Sequence, residues 1–232
     1  MTSILKYPRT PHINGSRLQP GDGDLKQVPR GTLAGVELVV EEKLDGSNCG
    51  ISFDESGRLV LQSRGHVLTG GAREEQFDLL KRWAHHHSHA LRETLGSRYL
   101  MYGEWLFARH TIAYDQLPHY FLEFDIWDRE AGDFLCTPRR RSLLDGGPVV
   151  SVPVLGSIVG VDQLESFVTR SQCASSEQME GLYLKHEVDG RVVGRYKYVR
   201  QGFLQAVADS GEHWMDRPIE PNRLREGAEL FA

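Results

Sequence analysis

The chain of 232 residues contains no apolar run near the ~20 residues that a helix needs to cross a bilayer. Its start, Met1 to Thr10, holds no signal-peptide core. Neither a membrane partner nor secretion is expected, and a cytoplasmic location is the default. Cysteine is scarce: Cys49, Cys136 and Cys173 stand far apart with no CxxC pair, which excludes a zinc ribbon and a disulfide framework and leaves reduced, packing thiols. Positive charge is not in excess either. The formal net charge of −5 excludes a non-specific nucleic-acid coat, because such proteins are usually basic. It does not exclude a nucleic-acid enzyme whose basic residues are concentrated locally. Arg139, Arg140 and Arg141 are such a concentration, read here as a solvated helix start with a phosphate site as the alternative. Internal repeats, low-complexity segments and flexible linkers are also missing, so one domain is the simpler reading.

What is present is an ordinary globular composition, 40% hydrophobic and 25% charged. Residues 1–34 are rich in Gly, Pro and polar residues and read as an irregular N-terminal arm. From Val36 the pattern turns to strands: Val36 to Lys43, Cys49 to Phe53 and Arg58 to Ser63, with Asp54 to Gly57 as a hairpin turn. Ala72 to Leu95 reads as one long helix, since Phe77, Leu80, Ala84, Leu91 and Leu95 share a face, and Gly96 stops it. Strands resume at Arg98 to Phe107 and Tyr120 to Trp127. A helix is expected after Thr137, as N-cap, with Pro138 at its first position. Short helices are expected at Val161 to Thr169 and Gly202 to Asp209, and a hairpin joins Gly181 to Glu187 with Arg191 to Val199 around Asp189-Gly190. The fold class is α+β, mainly antiparallel sheets with inserted helices.

The segment most informative about chemistry is Glu41-Glu42-Lys43-Leu44-Asp45-Gly46-Ser47-Asn48. A lysine ends a strand and meets a turn supplied by Asp45 and Gly46. Such a lysine is positioned, unlike one on a loose surface loop; read alone, the octapeptide is equally an ordinary hairpin with a surface lysine. Further along stand Ser63-Arg64-Gly65, Tyr102-Gly103-Glu104-Trp105, Phe121-Leu122-Glu123-Phe124-Asp125, Glu180-Gly181-Leu182-Tyr183-Leu184-Lys185 and Arg195-Tyr196-Lys197-Tyr198-Val199-Arg200.

In that order these elements resemble those of the ATP-dependent RNA ligases, within the covalent nucleotidyltransferase superfamily that also holds DNA ligases and mRNA capping enzymes. Lys43-Leu44-Asp45-Gly46 is similar to the KxDG element whose lysine is linked to a nucleoside monophosphate. Ser47-Asn48 looks like the RNA ligase form, KxxG(S/T)N. The resemblance spans Lys43 to Lys197, about two thirds of the chain. It implies an ATP-grasp-like ligase catalytic domain with Lys43 as the catalytic nucleophile. It further implies nucleotide-binding roles for Glu42, Asn48, Arg64, Glu104, Phe124, Glu180, Arg195 and Lys197. Arg64 would bind sugar and the nucleic-acid end, and Phe124 would stack on adenine, with Phe121 as competitor. Glu104 and Glu180 would hold the metal, and the basic pair of the last element the ATP phosphates. The cofactors implied are ATP and Mg²⁺, with Mn²⁺ as a substitute. The partners implied are RNA ends, a 5′-phosphate and a 3′-hydroxyl, and a protein able to supply nucleic-acid grip.

Elementary chemistry asks for the same residue types. A free lysine is protonated at neutral pH and must lose its proton to become a nucleophile. Carboxylates without metal keep it charged, so activation is expected only with Mg-ATP. Lys197 suits charge building on a transferring phosphorus, and two glutamates suit a hydrated Mg²⁺, which takes few protein ligands.

Two departures from the family pattern matter. Arg195 stands where a first lysine is usual, and arginine prefers forked contacts and does not deprotonate. Only 35 residues follow Lys197, so the expectation is a catalytic domain alone, with no C-terminal OB or helical module. His85-His86-His87-Ser88-His89 reads as an exposed helix face, with His87 on the apolar stripe; the alternative is a metal shared by His85 and His89. The alternative functions are a DNA or RNA–DNA nick ligase, and a non-catalytic RNA-end-binding module of a larger repair assembly.

Overall fold

Ten strands form a single sheet in a computed structural model that describes residues 4–18, 22–203 and 218–231. They are β1 (Glu37–Lys43), β2 (Ser47–Phe53), β3 (Leu59–Ser63), β4 (Tyr99–Trp105), β5 (Phe121–Asp128), β6 (Asp133–Leu135), β7 (Val150–Ser151), β8 (Val154–Val159), β9 (Gly181–Val188) and β10 (Arg191–Val199). The order is β3-β2-β4-β5-β6-β10-β9-β1-β8, antiparallel throughout, with β7 added parallel to β5. Three α-helices, α1 (Asp78–His86), α2 (Ser88–Leu95) and α3 (Thr137–Leu144), are inserted between strands. This is the α+β architecture expected. Among the described residues, no helix is long and apolar enough to cross a membrane.

The turn chemistry works as read. Asp54 accepts the N–H groups of Ser56 and Arg58 at 2.9 and 3.0 Å and closes the β2–β3 hairpin. Asp189 and Gly190 both have positive φ, 50° and 80°, which is the backbone that a two-residue hairpin between β9 and β10 requires.

Other expectations need correction. The long helix is a 3₁₀ turn, Ala72–Phe77, followed by α1 and α2 with a break at His87. Histidine and serine are weak helix formers, and His85 to Ser88 give the chain a place to bend. The bend keeps Phe77, Leu80, Trp83, Ala84, Leu91 and Leu95 in one core with Ile51, Met101, Phe121 and Ile126. α3 starts one residue early: Thr137 is its first residue and not its cap, because its N–H and Oγ1 both donate to Glu187 of β9, at 2.8 and 2.7 Å. At Val161 to Thr169 only a 3₁₀ turn forms, Leu164–Phe167. The expected helix from Gly202 lies mostly outside the described residues.

The N-terminal arm has no long element, yet it is part of the sheet and core. β6 pairs only with Arg191 and Val192 of β10, which leaves the rest of that edge open. The arm fills it: Ile13 N donates to Lys197 O and Lys197 N to Pro11 O, each at 3.0 Å. Ile13 and Leu33 then pack with Leu38, Val40, Leu182 and Leu184.

The arginine run is not a solvated helix start at its centre. Arg140 is buried and pairs with Glu41 of β1 and with Glu123 of β5, the latter at 2.7 Å. Lys185 of β9 joins the same group, 2.8 Å from Glu41 and 3.0 Å from Asp125. This buried ionic group ties α3, β1, β5 and β9 together two residues before Lys43.

Candidate active site

Lys43 is the last residue of β1, opposite Gly181 of β9. A Cβ at Gly181 would stand 1.9 Å from Tyr198 O, so only glycine lets β9 and β10 close up beside the lysine. The turn after Lys43 is equally tight, since a Cβ at Gly46 would meet Trp105 O at 2.6 Å. Gly46 N donates to Glu104 Oε1 at 3.1 Å, so the turn and the glutamate of β4 fix one another. Asp45 does more than turn the chain. Its carboxylate accepts Thr111 N and Ile112 N at 2.8 and 3.2 Å, and its own N–H donates to the Tyr114 hydroxyl at 2.9 Å. These bonds anchor the loop between β4 and β5 to the lysine turn.

Lys43 Nζ lies 2.7 Å from Glu180 Oε2; the lysine side chain is 23% exposed and the glutamate 1%. Burial opposes the ammonium charge, but Glu180, Glu104 and Asp45 outweigh it and hold the amine above the usual lysine range. The nucleotide-free lysine is therefore an ammonium. Burial pushes the Glu104 carboxyl up to about 8; Lys43 opposes this, while Glu180 and Asp45 add to it. So many carboxyl groups around one lysine make a set short of positive charge, which is the chemistry a divalent cation satisfies. Among the described residues, no three or more His, Cys, Asp or Glu side chains are grouped to hold a metal.

Register separates the two phenylalanine residues of β5. Tyr102 pairs with Asp125, but Gly103 pairs with Glu123, so Phe124 is the extra residue of a β-bulge in β5. Phe121 and Ile126, an odd number of residues apart, consequently both face the helix-covered core. Phe124 lies on the other side, half-buried, with its ring 5.1 Å from that of Tyr7 and 6.2 Å from that of Tyr183. Phe121 is thus a core residue, and Phe124 stands apart from it, packed in part against Leu122 and Tyr102.

The remaining candidates divide. Asn48 pairs in register with Glu104 and stands on the same face. Lys197 lies close enough to feel the charge of Lys43, which, after burial itself, helps lower its pKa. Arg64 stands exposed on the turn after β3, next to the edge of β2. Glu42 points to the opposite side, where Ser171 Oγ and Gln172 N donate to its carboxylate, the latter at 2.9 Å. Arg195 is not brought to the Lys43–Glu180 pair. Its guanidinium lies over the rings of Phe134 and Tyr7, 4.1 and 5.1 Å from their centroids. Planar, weakly hydrated guanidinium favours such stacking, which explains the arginine where lysine is usual. His85, His86 and His89 are exposed as read, but the break at His87 puts His85 and His89 on different helices.

Sequence reasoning missed His12, Asp22, Tyr114 and Arg140. Asp22, Tyr114 and Arg140 meet partners 175, 69 and 99 residues away, and although His12 meets Ser16 and Asp22 only 4 and 10 residues on, no local pattern marks it. Tyr7 carried a faint signal, the Lys6-Tyr7-Pro8 run; its hydroxyl bonds to Asp125 and to the hydroxyl of Tyr183.

The fold and this site define an α+β nucleotidyltransferase-like domain. The family model for RNA ligase matches residues 36–199, and the chain belongs to the RNA ligase family. Among solved structures it is similar to Naegleria gruberi RNA ligase with PPi, at 20% identity and a TM-score of 0.62, covering 90% of this chain and 59% of that one. A point mutant of the same ligase with ATP and Mn matches at 21% identity and a TM-score of 0.55, covering 74% of this chain and 51% of that one. Another, with AMP and Mn, matches at 20% and 0.59, covering 85% and 56%. The chain thus spans between half and three fifths of the structures it resembles, and at this identity the likeness is one of fold. No curated protein sequence matches significantly.

Proposed function

We propose that this chain is an ATP-dependent RNA ligase that seals RNA ends, in the cytoplasm and in the service of RNA repair. The observation that carries the reading is Lys43, fixed at a strand end 2.7 Å from Glu180, inside a domain of the RNA ligase family. The neutral Lys43 amine attacks the α-phosphorus of ATP; the P–N bond forms, the bond to the bridging oxygen breaks, and pyrophosphate leaves. A 5′-phosphate oxygen of RNA then attacks the same phosphorus and frees the lysine. Finally a 3′-hydroxyl attacks the activated 5′-phosphate, and AMP departs.

Phe124 offers its face to adenine. Lys197 stabilises charge on the phosphates, and Asn48 and Arg64 meet the RNA end. Glu104 and Glu180 would hold Mg²⁺ or Mn²⁺, which when bound neutralises triphosphate charge and weakens the hold of the carboxylates on the Lys43 proton.

The test is intact-mass analysis after incubation with ATP and Mg²⁺, where the mass should rise by one AMP. Labelling by GTP should be weaker, and equal or better labelling by GTP would move the reading to capping chemistry. Sealing of matched RNA and DNA 3′-hydroxyl nicks then separates an RNA ligase from a DNA nick ligase.

A further expectation concerns the two glutamates. Glu180→Ala and Glu104→Ala should each lower adenylylation by on the order of 10²-fold or more, the range seen when a group that stabilises developing charge is removed. Both should melt near the parent temperature, because each change thins out a crowd of carboxylates. Parent rates in folded variants would assign these glutamates to structure.

A further inference from the structure

A carboxylate of the N-terminal segment sits among three donors that converge beside the nucleophile. Asp22 Oδ2 accepts Lys197 Nζ at 2.6 Å and His12 Nε2 at 2.8 Å, and Arg9 Nη2 reaches its Oδ1 at 3.3 Å. The Asp22 and Lys197 side chains are each 13% exposed, and that of His12 is 0% exposed. Lys43 is near enough that its charge disfavours the protonated forms of both Lys197 and His12.

The protonation of His12 is set by its neighbours. Nε2 faces a carboxylate oxygen and must carry a hydrogen. Burial lowers the His12 pKa and favours the neutral ring, so Nδ1 accepts the hydrogen of the Ser16 hydroxyl, 2.6 Å away, while that oxygen accepts Val199 N–H at 2.9 Å. The ring is thereby a neutral donor through Nε2. Ser16, His12 and Asp22 have the connectivity of a hydrolase triad. However, Ser16 is buried and its oxygen is held by a backbone N–H, so it orients the ring and is not a nucleophile.

An anion held by a neutral N–H, an ammonium and a guanidinium is held as a phosphoryl group would be. Building on the proposed reaction, in which Lys197 serves the ATP phosphates, we infer that Asp22 occupies the phosphate site of the nucleotide-free chain. A phosphoryl group of the nucleotide or of pyrophosphate displaces it, taking the Nε2–H of His12 and the ammonium of Lys197 as donors. His12 is then a ligand-binding residue and Asp22 an internal competitor.

The sign of one substitution separates this from a structural role. Pyrophosphate binding in the presence of Mg²⁺ is measured by calorimetry. Asp22→Asn removes the competing charge and should tighten binding about tenfold, since a competent state no longer shares its donors with the carboxylate. If Asp22 only pins the segment in place, the same change leaves binding unaltered or weaker, and either result overturns the inference, as does absence of binding in both proteins. His12→Ala should weaken binding about tenfold, the effect of losing one hydrogen bond to a charged group. His12→Gln, which keeps an N–H near the Nε2 position, should stay within about threefold. Equal loss in both His12 variants would deny the ring its donor role.

The unmodified chain gives an answer that no misfolded variant can obscure. With ¹⁵N-labelled histidine, the His12 Nε2–H resonance should shift on adding pyrophosphate, and a resonance unmoved at saturation overturns the inference. Lysyl-AMP formation in the same preparations tests the underlying reading separately. Adduct without the Asp22→Asn effect sinks the competitor alone. Tightening without adduct leaves the anion site standing and removes the ligase reading.

Discussion

Lys43→Ala is expected to abolish the covalent AMP adduct, with a residual rate below about one thousandth of the parent, because the group that forms the bond is gone. The expectation rests on position as much as on residue type. β9 and β10 close up beside the lysine through Gly181, and Glu180 holds its Nζ at 2.7 Å. No other lysine among the described residues is so placed: Lys197 is engaged by Asp22, and Lys185 lies buried between Glu41 and Asp125. Lys43→Arg should be equally inactive, because a guanidinium keeps the charge and does not yield a neutral nucleophile. This second variant also keeps a cation beside Glu180, so a silent Lys43→Arg protein that melts like the parent assigns the loss to chemistry. The check is intact mass with ATP and Mg²⁺, and an undiminished adduct in either variant would defeat the assignment.

Arg140→Ala is expected to be the most damaging single change to stability, lowering it by about 3–5 kcal/mol, the range for removing one partner of a buried ion pair. Glu41 and Glu123 would be left fully buried, with Lys185 still bonded to Glu41 and no second cation on it among the described residues. For a chain of this size such a loss corresponds to about 10 °C or more in melting temperature. Coupling makes the assignment testable. Adding Glu123→Gln to Arg140→Ala should recover part of the loss, because a neutral amide no longer needs the guanidinium. Thermal or urea unfolding of the two single variants and the double variant provides the cycle. Strict additivity would show that Arg140 packs without pairing.

What could be read along the sequence was what neighbours in sequence decide. The turns at Asp54 to Gly57 and at Asp189-Gly190, the strand that ends on Lys43 and the stop at Gly96 all depend on residues a few positions apart. The ordered elements from Lys43 to Lys197 named Lys43, Glu104 and Glu180, three side chains that the sheet gathers at the end of β1. The rest depends on partners brought together by the sheet. Arg140 meets Glu41 from 99 residues away, and Lys197 meets Asp22 from 175. Three adjacent arginines look alike in sequence, and only the packing of α3 selects the middle one for burial. The arm of residues 1–34 looked irregular because its order comes from the open edge of β10 and not from any period of its own. Arg195 was placed with the phosphates by the resemblance of its element, whereas the rings of Tyr7 and Phe134 decide where it lies.

The bulge at Phe124 fixes a length as well as a direction. Side chains in β5 change face at that one position, so Phe121 and Ile126 share the helix side while Phe124 and Asp125 share the other. Deleting Phe124 would remove the bulge and leave Phe121 and Ile126 four residues apart, still on one face by simple alternation, so the helix side of the core survives and the Phe124 ring alone is lost. A single insertion that keeps the bulge instead sets Phe121 and Ile126 six apart and carries one of them to the wrong face. In a collection of random single-codon insertions, this stretch of the gene should be a gap, while the exposed loop at Glu130 to Gly132 accepts them.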